Sequence, residues 1–207
     1  MKSNLVIRLL GISVLGVVFA GCLFKPAVVT SRRFVLSPAQ TKGGAVEATQ
    51  LTIGLGRVTM PDYLLKDSMA VRKGDSEIQY LENALWAERL DHSLQRTLAA
   101  NLSSQLGDNR VRLSSWQPGE VALVVRVNVE RLDVDSEGRG ILIARWIIEA
   151  PDSGKVLKSG ESSFAKSGPV PYNDPASIPT TLSDLTAQFS EALAKAVREC
   201  APTSATR

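Results

Sequence analysis

His92 is the only histidine in the 207 residues, and that single count removes most familiar catalytic chemistry. A Ser-His-Asp triad needs an imidazole to carry the nucleophile's proton, and a zinc site built on several histidines is excluded. His92 itself lies among charges at a predicted helix start, where an exposed structural histidine is the ordinary case. No Gly-x-Ser-x-Gly elbow or Cys-x-x-Cys pair occurs. Gly54 and Gly56 lack the spacing and the following Lys-Ser/Thr of a phosphate loop. Carboxylates pair at Asp62/Asp67 and Asp133/Asp135, as general acid–base work would require, yet both pairs fall in turn-like sequence. Trp86, Tyr63 and Tyr80 read as packing residues. We therefore assign no catalytic residue, metal ligand or cofactor. The remaining reactive side chains are the thiols of Cys22 and Cys200.

Cys22 stands at the end of an export-signal pattern. Lys2 and Arg8 are followed by an uncharged run from Leu9 to Phe24, with small residues directly before the cysteine. The apolar run is shorter than the roughly 20 residues a spanning helix requires. Ala20-Gly21-Cys22 resembles the lipobox of bacterial lipoproteins. In such proteins the cysteine sulfur is diacylated, the chain is cut before it, and the new amine is often acylated. An ordinary cleaved signal or an uncleaved anchor with an incidental cysteine is the alternative. One acyl chain holds a membrane marginally, at roughly 0.8 kcal/mol per buried methylene, whereas two or three hold firmly.

Without residues 1–21 the chain keeps 186 residues, enough for one domain with a real core. The whole sequence has 24 basic and 21 acidic residues; loss of Lys2 and Arg8 leaves 22 against 21, a net of +1. No basic stripe or basic–aromatic run suggests nucleic-acid binding. With Cys22 lipidated, Cys200 stands alone in an oxidising compartment, where it is buried, reactive or paired with another chain.

The elements follow from periodicity. A tether over 22–31 leads to a first strand at 32–37 and a loop at 39–50. Leu51–Val58 alternates as a strand with one buried face, its glycines marking a bulge or a close backbone approach. Met60–Leu64 turns into a short helical stretch. Ala70–Arg72 and Glu77–Leu81 flank a hairpin turn at 73–76. Asn83 to Gly107 holds the first long helix. Its leucines recur every four residues from Leu90 to Leu106, Asp91 lies at its start, and Trp86, Glu88 and Arg89 sit just ahead of that leucine row. Arg110–Leu113 is a short strand. Alternation from Val121 to Val134, with a parity change at Arg131-Leu132 marking a bulge or strand end, opens a three-stranded meander. It returns over Ile141–Ala150 and ends over Val156–Phe164. A loop over 166–178 precedes a helix from about Thr181 to Cys200, with Ser183 as its cap. The predicted fold is α+β: one domain (32–200) with a mixed, largely antiparallel sheet and two long amphipathic helices packed on it. A polar tail over 201–207 follows.

The order of a strand, Pro61-Asp62-Tyr63-Leu64, a hairpin around Val71 and Ile78, Trp86-Ala87-Glu88 and a leucine-rich helix resembles the ABC-type transport auxiliary lipoprotein family. The later meander and C-terminal helix fit the same pattern, so the likeness covers nearly all of the mature chain. Its best-known members are paraquat-inducible outer-membrane lipoproteins that accompany Mce-type lipid transport systems. The resemblance implies a non-catalytic protein on the periplasmic face of the outer membrane, anchored through Cys22. Leu23, in place of the aspartate that retains lipoproteins at the inner membrane, agrees with that destination. The implied partners are a periplasm-spanning Mce protein and an inner-membrane ABC transporter or permease. The resemblance also implies homo-oligomeric rings, with Cys200 and the 73–76 hairpin as candidate contacts. Pro61, Tyr63, Trp86 and Glu88 are the candidate partner or subunit interface, maintenance of the fold being their alternative role. An assembly lipoprotein of the envelope, without lipid traffic, is the competing function.

Overall fold

The computed structural model describes residues 30–40, 51–113 and 115–200. The export signal, Cys22, most of the tether, most of the 39–50 loop and the 201–207 tail lie outside them. From Ser31 onward the described residues form one unit. Its strands are β1 (Arg32–Phe34), β2 (Ile53–Leu55), β3 (Ser68–Lys73), β4 (Glu77–Trp86), β5 (Val111–Leu113), β6 (Leu123–Asp135), β7 (Arg139–Glu149) and β8 (Val156–Ser167). Its helices are α1 (Leu90–Leu106) and α2 (Ser177–Cys200), with a single 3-10 turn at Asp62–Leu65. This is the expected α+β arrangement.

All eight strands join one sheet that forks at β6. On one edge β6 pairs with β7, and β7 with β8, both antiparallel. That is the meander read from alternation. The register slips between Val129 and Arg131, so the parity change is a bulge rather than a strand end. The other edge of β6 is shared. β2 runs parallel to its beginning, Ile53 opposite Leu123, and β3 runs parallel to its end, Val71 opposite Val134. The chain advances 18 positions from Ile53 to Val71 while its partners advance 11. The surplus loops out around the 3-10 turn. Hydrogen bonds from Thr59 N to Val127 O (3.1 Å) and Val129 N to Thr59 O (2.8 Å) hold the start of this excursion against β6.

The helices pack on each other and cover one face of the sheet. Leu94, Leu98 and Leu102 of α1 and Leu185, Phe189 and Leu193 of α2 are fully buried, in one core with Leu123, Val125, Leu142 and Ile148. These strand residues share parity or cross-strand register, so they point to the same face.

The first two strands are shorter than expected, Arg32–Phe34 within 32–37 and Ile53–Leu55 within Leu51–Val58, and three further boundaries differ. Asn83–Trp86 end β4 rather than start a helix, and α1 begins at Leu90. Ala84 and Trp86 pair with Arg32 and Phe34 of β1, and both are buried. Pairing and burial outweigh the local helix preference of an Ala-Leu-Trp-Ala-Glu run. α2 starts at Ser177, taking in part of the expected loop. Pro179 falls in its first turn, where a missing N–H costs no intrahelical bond. Ser183 is therefore inside the helix, not its cap, and its Oγ accepts the Ser37 N–H at 3.0 Å. β8 runs unbroken to Ser167, because its polar residues need only one solvated face.

Candidate functional site

The helices leave the other face of the β6–β7–β8 meander without a covering layer among the described residues. Cross-strand register places Arg126 with Ile147, Asn128 with Arg145, Arg131 with Ile143 and Asp133 with Ile141 on that face. β8 adds Ser159, Glu161, Ser163 and Ala165 in register with β7, all exposed. The face thus combines half-buried isoleucines with a lattice of opposite charges. Arg126 meets Glu149 at 2.7 Å; Arg145 meets Glu130 at 3.0 Å and Glu161 at 3.2 Å. With the arginines exposed, these pairs contribute little stability, roughly 0–1 kcal/mol each, but they fix the pattern of charge.

Asp133 is the exception on this face, because its side chain is completely buried. One oxygen, Oδ2, accepts the Tyr63 hydroxyl proton at 2.9 Å and two Arg72 N–H groups, from Nε at 3.0 Å and Nη2 at 2.8 Å. The other, Oδ1, accepts from Arg131 Nε at 2.9 Å. Arg72 also donates to the Tyr63 hydroxyl at 3.2 Å, and the Tyr80 hydroxyl donates to the Tyr63 carbonyl at 3.1 Å. One carboxylate therefore ties the 3-10 turn, β3 and the bulged part of β6 together. The turn-like reading of Asp133 is corrected here: it lies within β6, and Asp135 alone caps the following turn, accepting from the Glu137 and Arg139 backbone. With both oxygens occupied and no solvent access, the carboxylate is a structural tie.

Burial, reinforced by the Asp133 charge, pushes the Tyr63 hydroxyl up to about 12. A raised folded-state value means that the fold holds the phenol proton more tightly than the unfolded chain does. The stabilisation is complete below about pH 10 and is lost as pH rises through about 12. Absorbance titration of phenolate is expected to show a late step near pH 12 that Tyr63→Phe removes. Urea unfolding of the wild type should weaken over the same interval.

The other expected interface residues differ in exposure. Pro61 precedes the 3-10 turn, its carbonyl accepting from Leu64 N at 3.0 Å. Trp86 is buried in the core at 4% exposure, and its backbone N–H donates to the Asp67 carbonyl at 2.7 Å. It therefore presents no exposed surface of its own. Glu88 is half-buried and pairs with Arg96. The 73–76 hairpin is an exposed tip turned at Gly74, with φ +59°. Cys200 is unpaired and half-buried against the core, and burial pushes its thiol up, away from thiolate reactivity. His92 is exposed. Among the described residues no cluster of His, Cys, Asp and Glu could hold a metal.

Two features went unread in the sequence. Trp116 sits with its ring over Gly54, where a Cβ would lie 2.7 Å from the ring. Beside it a groove of about 680 Å³ is lined by Gly56, Arg57, Arg126, Arg145 and Ile147 among others. The Gly54-x-Gly56 spacing carried the signal: it marked a close approach, without naming the partner.

Comparison with known proteins draws these observations together. The model of the family described as ABC-type transport auxiliary lipoprotein component matches residues 34–194. The intermembrane transport lipoprotein PqiC of Escherichia coli strain K12 is 31% identical over 102 residues, 49% of this chain and 52% of the relative. PqiC of Shigella flexneri matches to the same extent. The matched stretch thus spans about half the length of these curated relatives. Among solved structures, a Xanthomonas campestris protein superposes with a TM-score of 0.69 at 13% identity, covering 82% of this chain and 96% of that one. A second crystal structure gives a TM-score of 0.66 at 21% identity, covering 81% and 99%. At these identities the structural likenesses show a shared fold.

Proposed function

This chain belongs to the ABC-type transport auxiliary lipoprotein family, and we propose that it is the outer-membrane lipoprotein of an Mce-type intermembrane transport system. In this reading Cys22 is lipidated and holds the domain on the periplasmic face of the outer membrane. The domain docks a periplasm-spanning Mce protein whose far end meets an inner-membrane ABC transporter or permease. Lipid or another apolar molecule passes along that route, and this component performs no chemistry on it. The observation that carries the proposal is the family match over 34–194, which takes in nearly the whole described domain. The lipobox-like Ala20-Gly21-Cys22 supports the anchor, and the name of the PqiC relatives supports intermembrane transport. The uncovered meander face, to which Tyr63 is tied through Asp133, is the docking surface in this proposal, with Pro61 and Glu88 as further candidate contacts and Trp86 holding the fold behind them.

Purification of tagged full-length protein in mild detergent, followed by mass spectrometry of what comes with it, tests this reading. We expect an Mce protein and a permease to co-purify. Cys22→Ala should reduce their recovery at least about tenfold, since two or three acyl chains supply the attachment. Recovery of wall- or porin-assembly proteins in place of any Mce component would replace transport by an assembly role.

A further inference from the structure

The groove beside Trp116 has a chemistry of its own. Its volume of about 680 Å³ lies within the range of roughly 300–1,000 Å³ typical of small-molecule pockets. The apolar part is Trp116 and Ile147. The Trp116 ring rests on Gly54, and Ile147 is half-buried on the same face. Gly56 adds no side chain, and the aliphatic stem of Arg126 lies against it, Cγ being 3.7 Å from where a Gly56 Cβ would stand.

The charges of the groove are unequal. Arg126 is neutralised by Glu149, and Arg145 by Glu130 and Glu161. Arg57 has no hydrogen bond or ion pair among the described residues. Nearby, Asn128 Oδ1 takes the Thr59 hydroxyl proton at 2.7 Å, which turns its amide N–H groups to other acceptors. One uncompensated guanidinium beside an aromatic and aliphatic lining is complementary to a single anionic head on an apolar tail.

We propose that this groove binds an anionic amphiphile, the head on Arg57 and the acyl chain along Trp116 and Ile147. The ligand class rests on the transport reading above, because that route brings amphiphiles to this component. A free anion such as phosphate shares the head chemistry but leaves the apolar lining unused.

The test uses the full-length lipoprotein in phosphatidylcholine vesicles doped with phosphatidylglycerol carrying a diazirine on its acyl chain. After photolysis, labelled peptides are mapped by mass spectrometry. Labelling is expected to concentrate on the peptides containing Gly56–Thr59, Trp116 and Arg145–Ile147. Arg57→Glu, an exposed change that leaves the core untouched, should lower it about tenfold, the loss of one charge-assisted contact. Ile147→Ser should lower it several-fold, and excess inorganic phosphate should not displace it. Equal labelling of groove and helix-face peptides, or labelling indifferent to Arg57→Glu, would overturn the proposal. Complete displacement by phosphate would overturn it as well, leaving a plain anion site. Absence of groove labelling in protein that still co-purifies with an Mce partner would sink the groove alone. Groove labelling without such a partner would instead leave the groove standing and remove the transport role.

Discussion

Asp133→Ala is expected to cost about 3–5 kcal/mol of stability, the usual penalty for stripping one partner from a buried ion pair. At about 2–4 °C per kcal/mol for a chain of this size, the melting temperature falls by roughly 10 °C. The size follows from what is left behind. Arg72 Nε and Nη2, Arg131 Nε and the Tyr63 hydroxyl all donate to this carboxylate, and the Arg72 side chain is only 15% exposed. Four donors lose their acceptor around a carboxylate site that is itself fully buried. Asp133→Asn keeps the volume and one acceptor oxygen, so its cost should be smaller, about 2 kcal/mol. The combination of Arg72→Met with Asp133→Leu should lie nearer the wild type than Asp133→Ala does, because it removes a buried charge from each side. Urea unfolding of the four proteins checks the order. A neutral Asp133→Ala would mean that the cluster does not join the 3-10 turn to the sheet.

That cluster also shows where sequence reading stops. Alternation from Val121 to Val134 correctly gave the faces of β6, and the parity change at Arg131-Leu132 correctly marked a break in register. Both rest on the twofold period of a strand, which is local. Local sequence put Asp133 in a turn, and a turn residue is expected in water. What buries it is Tyr63, arriving from a turn 70 positions earlier in the chain, and no local pattern encodes that contact. The parallel pairings of β2 and β3 with β6 were illegible for the same reason. They join segments far apart in sequence, and β2 contributes only three residues. The leucine row of α1 was clear because five leucines at four-residue spacing are a strong helical signal. Its beginning was not, because Asn83–Trp86 would suit a helix as well until β1 pairs with them. At the candidate site, family likeness singled out Pro61, Tyr63, Trp86 and Glu88, but the burial of Trp86 was not legible from it. Arg57 and Trp116 were not legible either, since a cation without a partner among the described residues and a ring over a glycine are visible only in three dimensions.

Glycine placement sets the second large effect, at the seat of α2. A Cβ added to Gly140 of β7 would lie 2.5 Å from Thr181 Cγ2 and 3.0 Å from Leu185 Cδ1. A Cβ added to Gly168 would lie 2.3 Å from Thr181 Oγ1. Thr181 is buried at 2% exposure, and a β-branched side chain on a helix has little rotamer freedom with which to yield. The first turns of α2 therefore rest directly on two glycines. Gly140→Val should lift them and cost about 3 kcal/mol or more, at the upper end of overpacking penalties. Because the helix covers the core, near-ultraviolet dichroism and hydrogen exchange over 177–190 should report loosening there before the meander opens. The Lys166–Asp184 ion pair, just beyond the contact, should weaken with it. Two further variants separate this cause from general disruption of β7. Gly140→Ala should cost less than the valine, about 2 kcal/mol, and Thr181→Ser should recover part of that by removing the Cγ2 that the new methyl meets. Gly138→Ala should be equally damaging yet indifferent to Thr181. Its φ is +91°, and its Cβ would meet the Gly168 carbonyl oxygen at 2.3 Å, so its strain lies in the backbone. Rescue of Gly138→Ala by Thr181→Ser, or none for Gly140→Ala, would refute the assignment of Thr181 as the contact that seats the helix.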